Sequence, residues 1–229
     1  MYLLILYVFY MSFIPHEVDS MFARELGLQE KCILTTQINQ PYFENVDFYE
    51  VDTGCVIIHP SEKIPYRFAV DTGDNLYRLF NTDTCEYNLI ISKYPVVITQ
   101  YNVHQYGQFF LEVTKLYMQW SAGYYFLKGT EDFVSLNNSL ASSSGYRTNH
   151  ELNRDSVLSE IHKICDTLNY DEIIFYRGRH AFVIDYYVWM ECNGDLKYYQ
   201  LEIGNNGDCH ILQDTIIARN LGYHIYYFR

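Results

Sequence analysis

The chain has 229 residues, of which 49% are hydrophobic and 19% are charged, a composition that supports a sizeable core and excludes a largely disordered chain. Its 16 basic and 28 acidic residues give a net charge of −12. This charge excludes a surface that binds nucleic acid, because phosphate binding needs a basic footprint. The 24 tyrosines favour a β-rich protein, since tyrosine is enriched in strands.

The N-terminal stretch, residues 1–15, is apolar and carries no charged side chain. It is too short for a stable membrane span. It resembles the apolar region of a secretory signal, although no Lys or Arg precedes it and no small-x-small cleavage site follows. An internal strand and a truncated pro-segment are the alternatives. We therefore expect a signal-like or pro-segment region over residues 1–29, one domain over residues 30–229, and a secreted or cell-envelope protein.

The chain has six cysteines at wide and irregular spacings. An even number in an exported protein is compatible with three disulfides, although a chain of this size can fold without such cross-links. No Cys-x-x-Cys pair occurs, so we expect no structural zinc site. His162 and Cys165 form half of a metal site, but a packed helix face explains their spacing better. We expect neither a metal nor an organic cofactor.

Two segments, Gln108–Trp120 and Asp155–Leu168, have apolar residues at the spacing of a helix. Residues 20–110 otherwise predict loops and short strands, because turn signals recur along them. The C-terminal third predicts an antiparallel meander, with Asn193-Gly194 as a hairpin turn. Its strands are expected at Ile173–Tyr176, His180–Met190, Lys197–Ile203, His210–Leu212 and Ile216–Phe228.

The segment Gly178–Asp185 places His180 in front of a nearly continuous apolar run. It resembles the corresponding segment of papain-like cysteine peptidases, whose catalytic histidine is at the start of a core strand. The sequence His-Ala-Phe-Val-Ile-Asp is similar to that of the streptopain family in particular. Four other stretches resemble that family in the same order, and the resemblance covers roughly residues 30–215. They are Ile33–Tyr42 around its oxyanion-hole glutamine, Thr53–Val56 at its nucleophile, Gly145–Phe175 before its histidine, and Tyr198–Cys209 at its return strand and turn.

This resemblance implies an α+β, papain-like fold, with a helical N-terminal half packed on a C-terminal antiparallel sheet or barrel-like half. It implies a cysteine peptidase that hydrolyses peptide bonds through a thiolate–imidazolium dyad. A peptide or protein is then the substrate, and an inhibitory pro-domain or an inhibitor protein is a further partner.

Carried over residue by residue, the resemblance makes Cys55 the nucleophile, His180 the general base and Gln40 the oxyanion donor. Cys85 is the alternative nucleophile. Residues 86–94 predict a helix after Cys85, and they end in a Lys-Tyr-Pro similar to the one that the family shows after its cysteine helix. The residues after Cys55 are a poor start for a helix. A helix N-terminus matters because it stabilises the thiolate that attacks.

The residue that orients His180 has two candidates. Alignment offers Glu202 in the position of the family's asparagine, and both tryptophans of the family's Asn-Trp-Gly-Trp are absent. Strand geometry offers Asn205, because a two-residue turn at Asn193-Gly194 places Asn205 opposite Phe182. Side chains alternate between the faces of a sheet, so Asn205 then shares the face of His180 while Glu202 points away.

These departures from the family support a second hypothesis. A catalytically inactive streptopain-like domain that binds a peptide or a peptidase retains the fold without the chemistry. An unrelated tyrosine-rich β protein is the third alternative. We prefer the cysteine peptidase, because the five stretches agree with the family in order and spacing.

Overall fold

The structure is a computed structural model that describes residues 16–53, 66–79, 85–116, 124–127, 159, 163, 173–176, 180–190 and 195–219. Across these residues, none of the helices combines the length and apolar character that a membrane crossing requires. The first element is helix α1, His16–Leu26, which a short 3₁₀ helix follows at Glu30–Cys32.

A four-stranded antiparallel sheet occupies the N-terminal part of the chain, with the order β1-β2-β3-β4. Its buried face packs against α1 through a cluster of Phe22, Tyr49, Val51 and Phe68. The rings of Phe22 and Phe68 stack at 4.9 Å. The strands are β1 at Leu34–Ile38, β2 at Val46–Asp52, β3 at Tyr66–Asp71 and β4 at Leu76–Arg78.

Two helices follow this sheet, α2 at Cys85–Lys93 and α3 at Val103–Thr114. Helix α2 confirms the helix predicted after Cys85. Helix α3 begins five residues earlier than the predicted Gln108–Trp120 and ends at Thr114, and residues 117–120 of that prediction lie outside the described residues. The difference at its start arises at Gly107, which weakens the sequence signal for a helix but lies inside α3. Of the second predicted helix the structure describes only Ser159 and Lys163, which are both helical.

In the C-terminal part of the chain, the described residues form a five-stranded antiparallel sheet. Strand β7 pairs with β5 and β6 on one side and with β8 on the other, and β8 pairs with β9. The predicted strands before residue 205 are confirmed, with small changes at their ends. The two strands predicted at 210–212 and 216–228 are one strand as far as Ala218. Its ladder with β8 has two register shifts, and the one between the partners Ile211 and Gln213 lies where the two predicted strands were separated. The strands are β5 at Tyr124–Leu127, β6 at Ile173–Tyr176, β7 at Ala181–Met190, β8 at Asp195–Gly204 and β9 at Cys209–Ala218.

The register of β7 on β8 differs from the one predicted from a two-residue turn at Asn193-Gly194, residues that lie outside the described part of the chain. Phe182 opposes Ile203, not Asn205, and Asp195 pairs with Met190. The shift is two residues, and it therefore leaves every side chain on its predicted face. Alternate apolar residues of both strands lie in one core. A register shifted by two residues buries the same side chains, so the apolar pattern does not distinguish the observed register from the predicted one.

One large core joins the two sheets through the helices. It contains Phe48 of β2, Ile90 of α2, Phe110 of α3, Ile184 of β7 and Leu201 of β8. The described residues thus form a mixed structure of helices and two antiparallel sheets. The N-terminal half holds a sheet as well as helices, and the papain-like arrangement stays a prediction.

Candidate functional site

His180 lies immediately before β7 and is exposed to solvent. Its φ of 50° is in the left-handed region, which residues other than glycine rarely adopt. Its carbonyl accepts the N–H of Asn205 at 3.0 Å. A strained backbone persists only where the surroundings enforce it, and such positions cluster at functional sites. The position predicted for the general base therefore has a backbone held in an uncommon conformation.

Asn205 is the residue that the β7–β8 register, continued past its last pair, places opposite His180. Besides donating to His180, its backbone accepts a hydrogen bond from the N–H of Ile98 at 2.9 Å. Asn205 begins a tight turn that Gly207 closes by donating to Gly204 at 2.9 Å. The structure thus brings together two of the predicted site residues, both of them exposed.

Glu202 is not brought to His180. It opposes Val183 on β7 and His210 on β9. Its neighbour Ile203 faces the core, so Glu202 lies on the opposite face of β8. This placement agrees with the strand-geometry prediction and removes the reason for preferring Glu202 by alignment. No register shift interrupts the β7–β8 ladder that would have reversed the faces.

Gln40 closes the loop between β1 and β2 with its side-chain amide. Its Nε2 donates to the carbonyls of Phe43 at 2.8 Å and Val46 at 3.2 Å. Its Oε1 accepts the N–H groups of Tyr42 at 2.7 Å and Phe43 at 2.8 Å. An amide nitrogen has two hydrogens, and both are used here. An oxyanion role for Gln40 therefore needs one of these bonds to be given up.

Of the two candidate nucleophiles, Cys85 belongs to the part of the chain that the structure describes and Cys55 does not. Cys55 lies in residues 54–65, outside the described residues. Cys85 is the first residue of α2, so its backbone lies at a helix N-terminus. The positive end of a helix stabilises a thiolate and lowers the pKa of a cysteine there. The predicted requirement for a helix after the nucleophile is met at Cys85.

Helix α2 is attached to the turn that begins at Asn205. Asn88 donates from Nδ2 to the carbonyl of Cys209 at 3.0 Å and accepts its N–H at 3.1 Å. Beyond the helix, the N–H of Val96 donates to the carbonyl of Asn206 at 2.9 Å. These bonds connect the helix of Cys85 to the turn that follows the return strand.

Helix α3 supports the same turn through Tyr106, whose hydroxyl donates to the carbonyl of Gly207 at 2.8 Å and accepts from Tyr87 at 3.0 Å. Gly207 has a φ of 94°, and a Cβ there would lie 2.9 Å from the Tyr106 hydroxyl oxygen. Burial raises the pKa of both tyrosines well above the usual value. Sequence reasoning missed this support because it joins segments that are far apart in the chain.

Cys209 is a free cysteine at the end of the turn, and it is not a third candidate nucleophile. It is fully buried, and its thiol donates to the Gly207 carbonyl at 3.4 Å. Burial raises the pKa of this thiol well above its usual value. Nucleophilic attack needs an accessible thiolate, so Cys209 contributes packing rather than chemistry.

The ring of Tyr186 on β7 is accommodated by Gly107 of α3. The Tyr186 hydroxyl donates to the carbonyl of His104 at 2.8 Å. A Cβ on Gly107 would lie 2.8 Å from Tyr186 Cζ, closer than packed carbon atoms approach. The ring therefore packs directly on the backbone of α3, and Gly107 is explained by a contact with another element.

Comparison with known proteins adds nothing to this geometry: no family model, no curated protein and no solved structure matches the chain. Among the described residues, no group of three or more His, Cys, Asp and Glu side chains is arranged to hold a metal ion.

Proposed function

We propose that the chain is a cysteine peptidase that hydrolyses peptide bonds, with Cys85 as the nucleophile and His180 as the general base. One observation carries the proposal. The helix that begins at Cys85 is hydrogen-bonded through Asn88 to Cys209, at the end of the turn of Asn205. The backbone N–H of Asn205 in turn donates to the carbonyl of His180. A helix start and a histidine are thus attached to one small structural unit.

The chemistry follows from the residue types. The Cys85 thiolate attacks the carbonyl carbon of a peptide bond, and the His180 imidazolium gives its proton to the leaving amine. The product is a thioester on the cysteine. Water then attacks the thioester while His180 accepts its proton, which releases the acid and restores the thiolate. We assign to the exposed side chain of Asn205 the role of orienting the imidazole.

Cys85 is preferred to Cys55 on physical grounds. A thiolate must form near neutral pH, although free cysteine has a pKa near 8.5. The N-terminus of the nine-residue helix α2 contributes part of the stabilisation, and an imidazolium contributes the rest. The predicted role of Cys55 is tested beside that of Cys85 in the same experiment.

The substrate is a peptide or protein, and an inhibitory pro-domain or inhibitor protein is a further proposed partner. The net charge of −12 favours basic over acidic substrates at long range, since opposite charge accelerates encounter. Because residues 1–15 are apolar and uncharged, we also propose a secreted or cell-envelope location.

Labelling with a thiol-reactive peptidyl electrophile at neutral pH, followed by mass mapping, tests the peptidase chemistry. We expect fast labelling of Cys85 in the wild type, loss of that label in Cys85→Ser, and slow labelling of Cys85 in His180→Ala. Cys55→Ser is the matched control and should keep the wild-type rate. Hydrolysis of a denatured, unstructured protein substrate should follow the same pattern.

The alternative outcomes are distinct. Fast, His180-dependent labelling at Cys55 would retain the peptidase and move the nucleophile. Labelling of every cysteine at the rate of free cysteine, with no effect of His180→Ala, would exclude peptidase chemistry.

A second candidate function is peptide binding without catalysis. The observation that favours it is the engagement of both Gln40 amide hydrogens within their own loop, which leaves no side-chain oxyanion donor there. In that case a peptide would bind with equal affinity to the wild type and to His180→Ala. Calorimetric titration with unstructured peptides distinguishes this case from an enzyme, which would consume them.

A further inference from the structure

Asn88 joins helix α2 to the sheet at the first residue of β9. Its side-chain amide donates to the carbonyl of Cys209 and accepts the N–H of the same residue, at 3.0 and 3.1 Å. One amide thereby bonds both backbone groups of one residue, as the opposite residue of an antiparallel strand does. The half-buried Asn88 thus acts as a double hydrogen-bonded link across 121 positions of the chain.

This link lies between the two halves of the proposed site. Asn88 follows Cys85 by three residues, which is one turn of helix. On the sheet, Cys209 pairs with Ile203, two residues before Asn205. The link is therefore close in the chain to the nucleophile on one side and to the residue bonded to His180 on the other.

The buried Ile90 and Ile91 hold α2 to the core by apolar contact, which is non-directional. Two directional bonds of α2 go to other elements, from the Tyr87 hydroxyl to Tyr106 on α3 and from Lys93 to Asp71 on β3. The Asn88 amide bonds β9 itself, directly after the turn of Asn205. Hydrogen bonds have narrow limits of distance and angle. The Asn88 amide is thus suited to fix where the N-terminus of α2 stands relative to the sheet.

We propose that Asn88 is a positioning residue that sets the distance between the Cys85 thiolate and the His180 imidazolium. This inference rests on the proposed function. Attraction between the two charges falls as they separate, and a misplacement of about 1 Å can cost on the order of 100-fold in rate. Without the link, α2 shifts along its axis and the thiolate loses stabilisation by the imidazolium.

The test is the pH dependence of Cys85 alkylation by iodoacetamide, read by mass spectrometry from about pH 4 to pH 9. Asn88→Leu keeps the branched shape of the side chain and removes both hydrogen bonds. We expect the wild-type midpoint to lie well below the value near 8.5 of free cysteine. In the variant the midpoint should rise by about one unit or more, which means roughly tenfold less thiolate at pH values below both midpoints.

Thr114→Val is the matched control, because it removes one buried hydrogen bond, from Thr114 to the Phe110 carbonyl at 2.6 Å within α3. It should lower the melting temperature and leave the midpoint of Cys85 unchanged. Where Asn88→Leu does not fold, Asn88→Ser is measured instead, since the serine hydroxyl is too short to reach both backbone groups.

Two results would overturn the inference, and they differ in what they say of the function. A folded Asn88 variant with the wild-type midpoint, or an equal rise in Thr114→Val, removes the positioning role but keeps an activated Cys85. A wild-type Cys85 with the midpoint of free cysteine overturns the proposed nucleophile and the positioning role together.

Discussion

The N–H of Asn205 donates to the carbonyl of His180 at 3.0 Å, and this bond joins the end of the return strand to the residue that precedes β7. The carbonyl of Asn205 in turn accepts the N–H of Ile98, in the segment that follows α2. One short turn therefore connects three segments that are distant in the sequence. The proposed catalytic geometry depends on this turn.

Asn205→Ala should reduce the rate of Cys85 labelling by about tenfold or more, which corresponds to about 1.4 kcal/mol. The reason is that the variant keeps the backbone bond to His180 but removes the side chain proposed to orient its imidazole. Labelling rates of the wild type and the variant, with melting temperatures, measure the effect. Asn206→Ala is the control, because Asn206 lies in the same turn and its side chain bonds Asp208. An equal loss in both variants would assign the effect to the turn and not to Asn205.

Gln40→Ala should lower the free energy of unfolding by about 1–3 kcal/mol, because it leaves backbone groups of Phe43 and Val46 without their partner. The labelling rate per folded molecule should change by less than tenfold. Denaturant titration and the labelling assay measure the two quantities separately. A rate loss on the order of 10²–10³ with little loss of stability would instead identify Gln40 as the oxyanion donor.

Gly107→Ala should destabilise the protein by about 1–3 kcal/mol, the usual cost of overpacking. The added Cβ would press on the ring of Tyr186, which is buried in the core. Gly107→Ala combined with Tyr186→Leu should lose less stability than the sum of the two single changes. A double-mutant cycle by denaturant unfolding measures this coupling. Strict additivity would show that the two residues do not meet.

Asp71 should contribute stability that is lost in acid. Burial tends to raise the pKa of this carboxyl, but hydrogen bonds from Lys93, Asn75 and Gly73 together hold it well below its usual range. A carboxyl whose pKa is lower in the folded than in the unfolded state stabilises the protein above its unfolded pKa near 3.9. This contribution falls as the pH drops from about 4 towards the lower folded value.

Asp71→Asn tests that contribution. The variant should be less stable than the wild type at pH 7, because Lys93 donates to Asp71 Oδ2 at 2.5 Å in the wild type. The difference from the wild type should shrink steadily below pH 4. Unfolding free energies at a series of pH values measure it, and Asp74→Asn in the same turn is the control. A difference that does not depend on pH would contradict the assigned ionisation.

The local elements of this protein could be predicted because each leaves a periodic trace in the sequence. The strands predicted at His180–Met190 and Lys197–Ile203 and the helix predicted after Cys85 are all confirmed, within a few residues at their ends. The position of His180 before a buried strand was likewise visible from the sequence. The predicted start of helix α3 lies five residues after its observed start, because Gly107 weakens the helical signal of the residues before Gln108.

Strand register and the hydrogen bonds between distant segments could be determined only from the tertiary structure. A hydrophobic period of two fixes which face each strand residue takes, but a register shifted by two residues satisfies the same pattern, so the pairing of Phe182 with Ile203 had to be observed. The link from Asn88 to Cys209 and the use of both Gln40 hydrogens depend on which backbone groups meet once the chain is packed. The sequence by itself determined the elements and the candidate residues, and folding decided which of them lie together, because those contacts join segments that the chain separates.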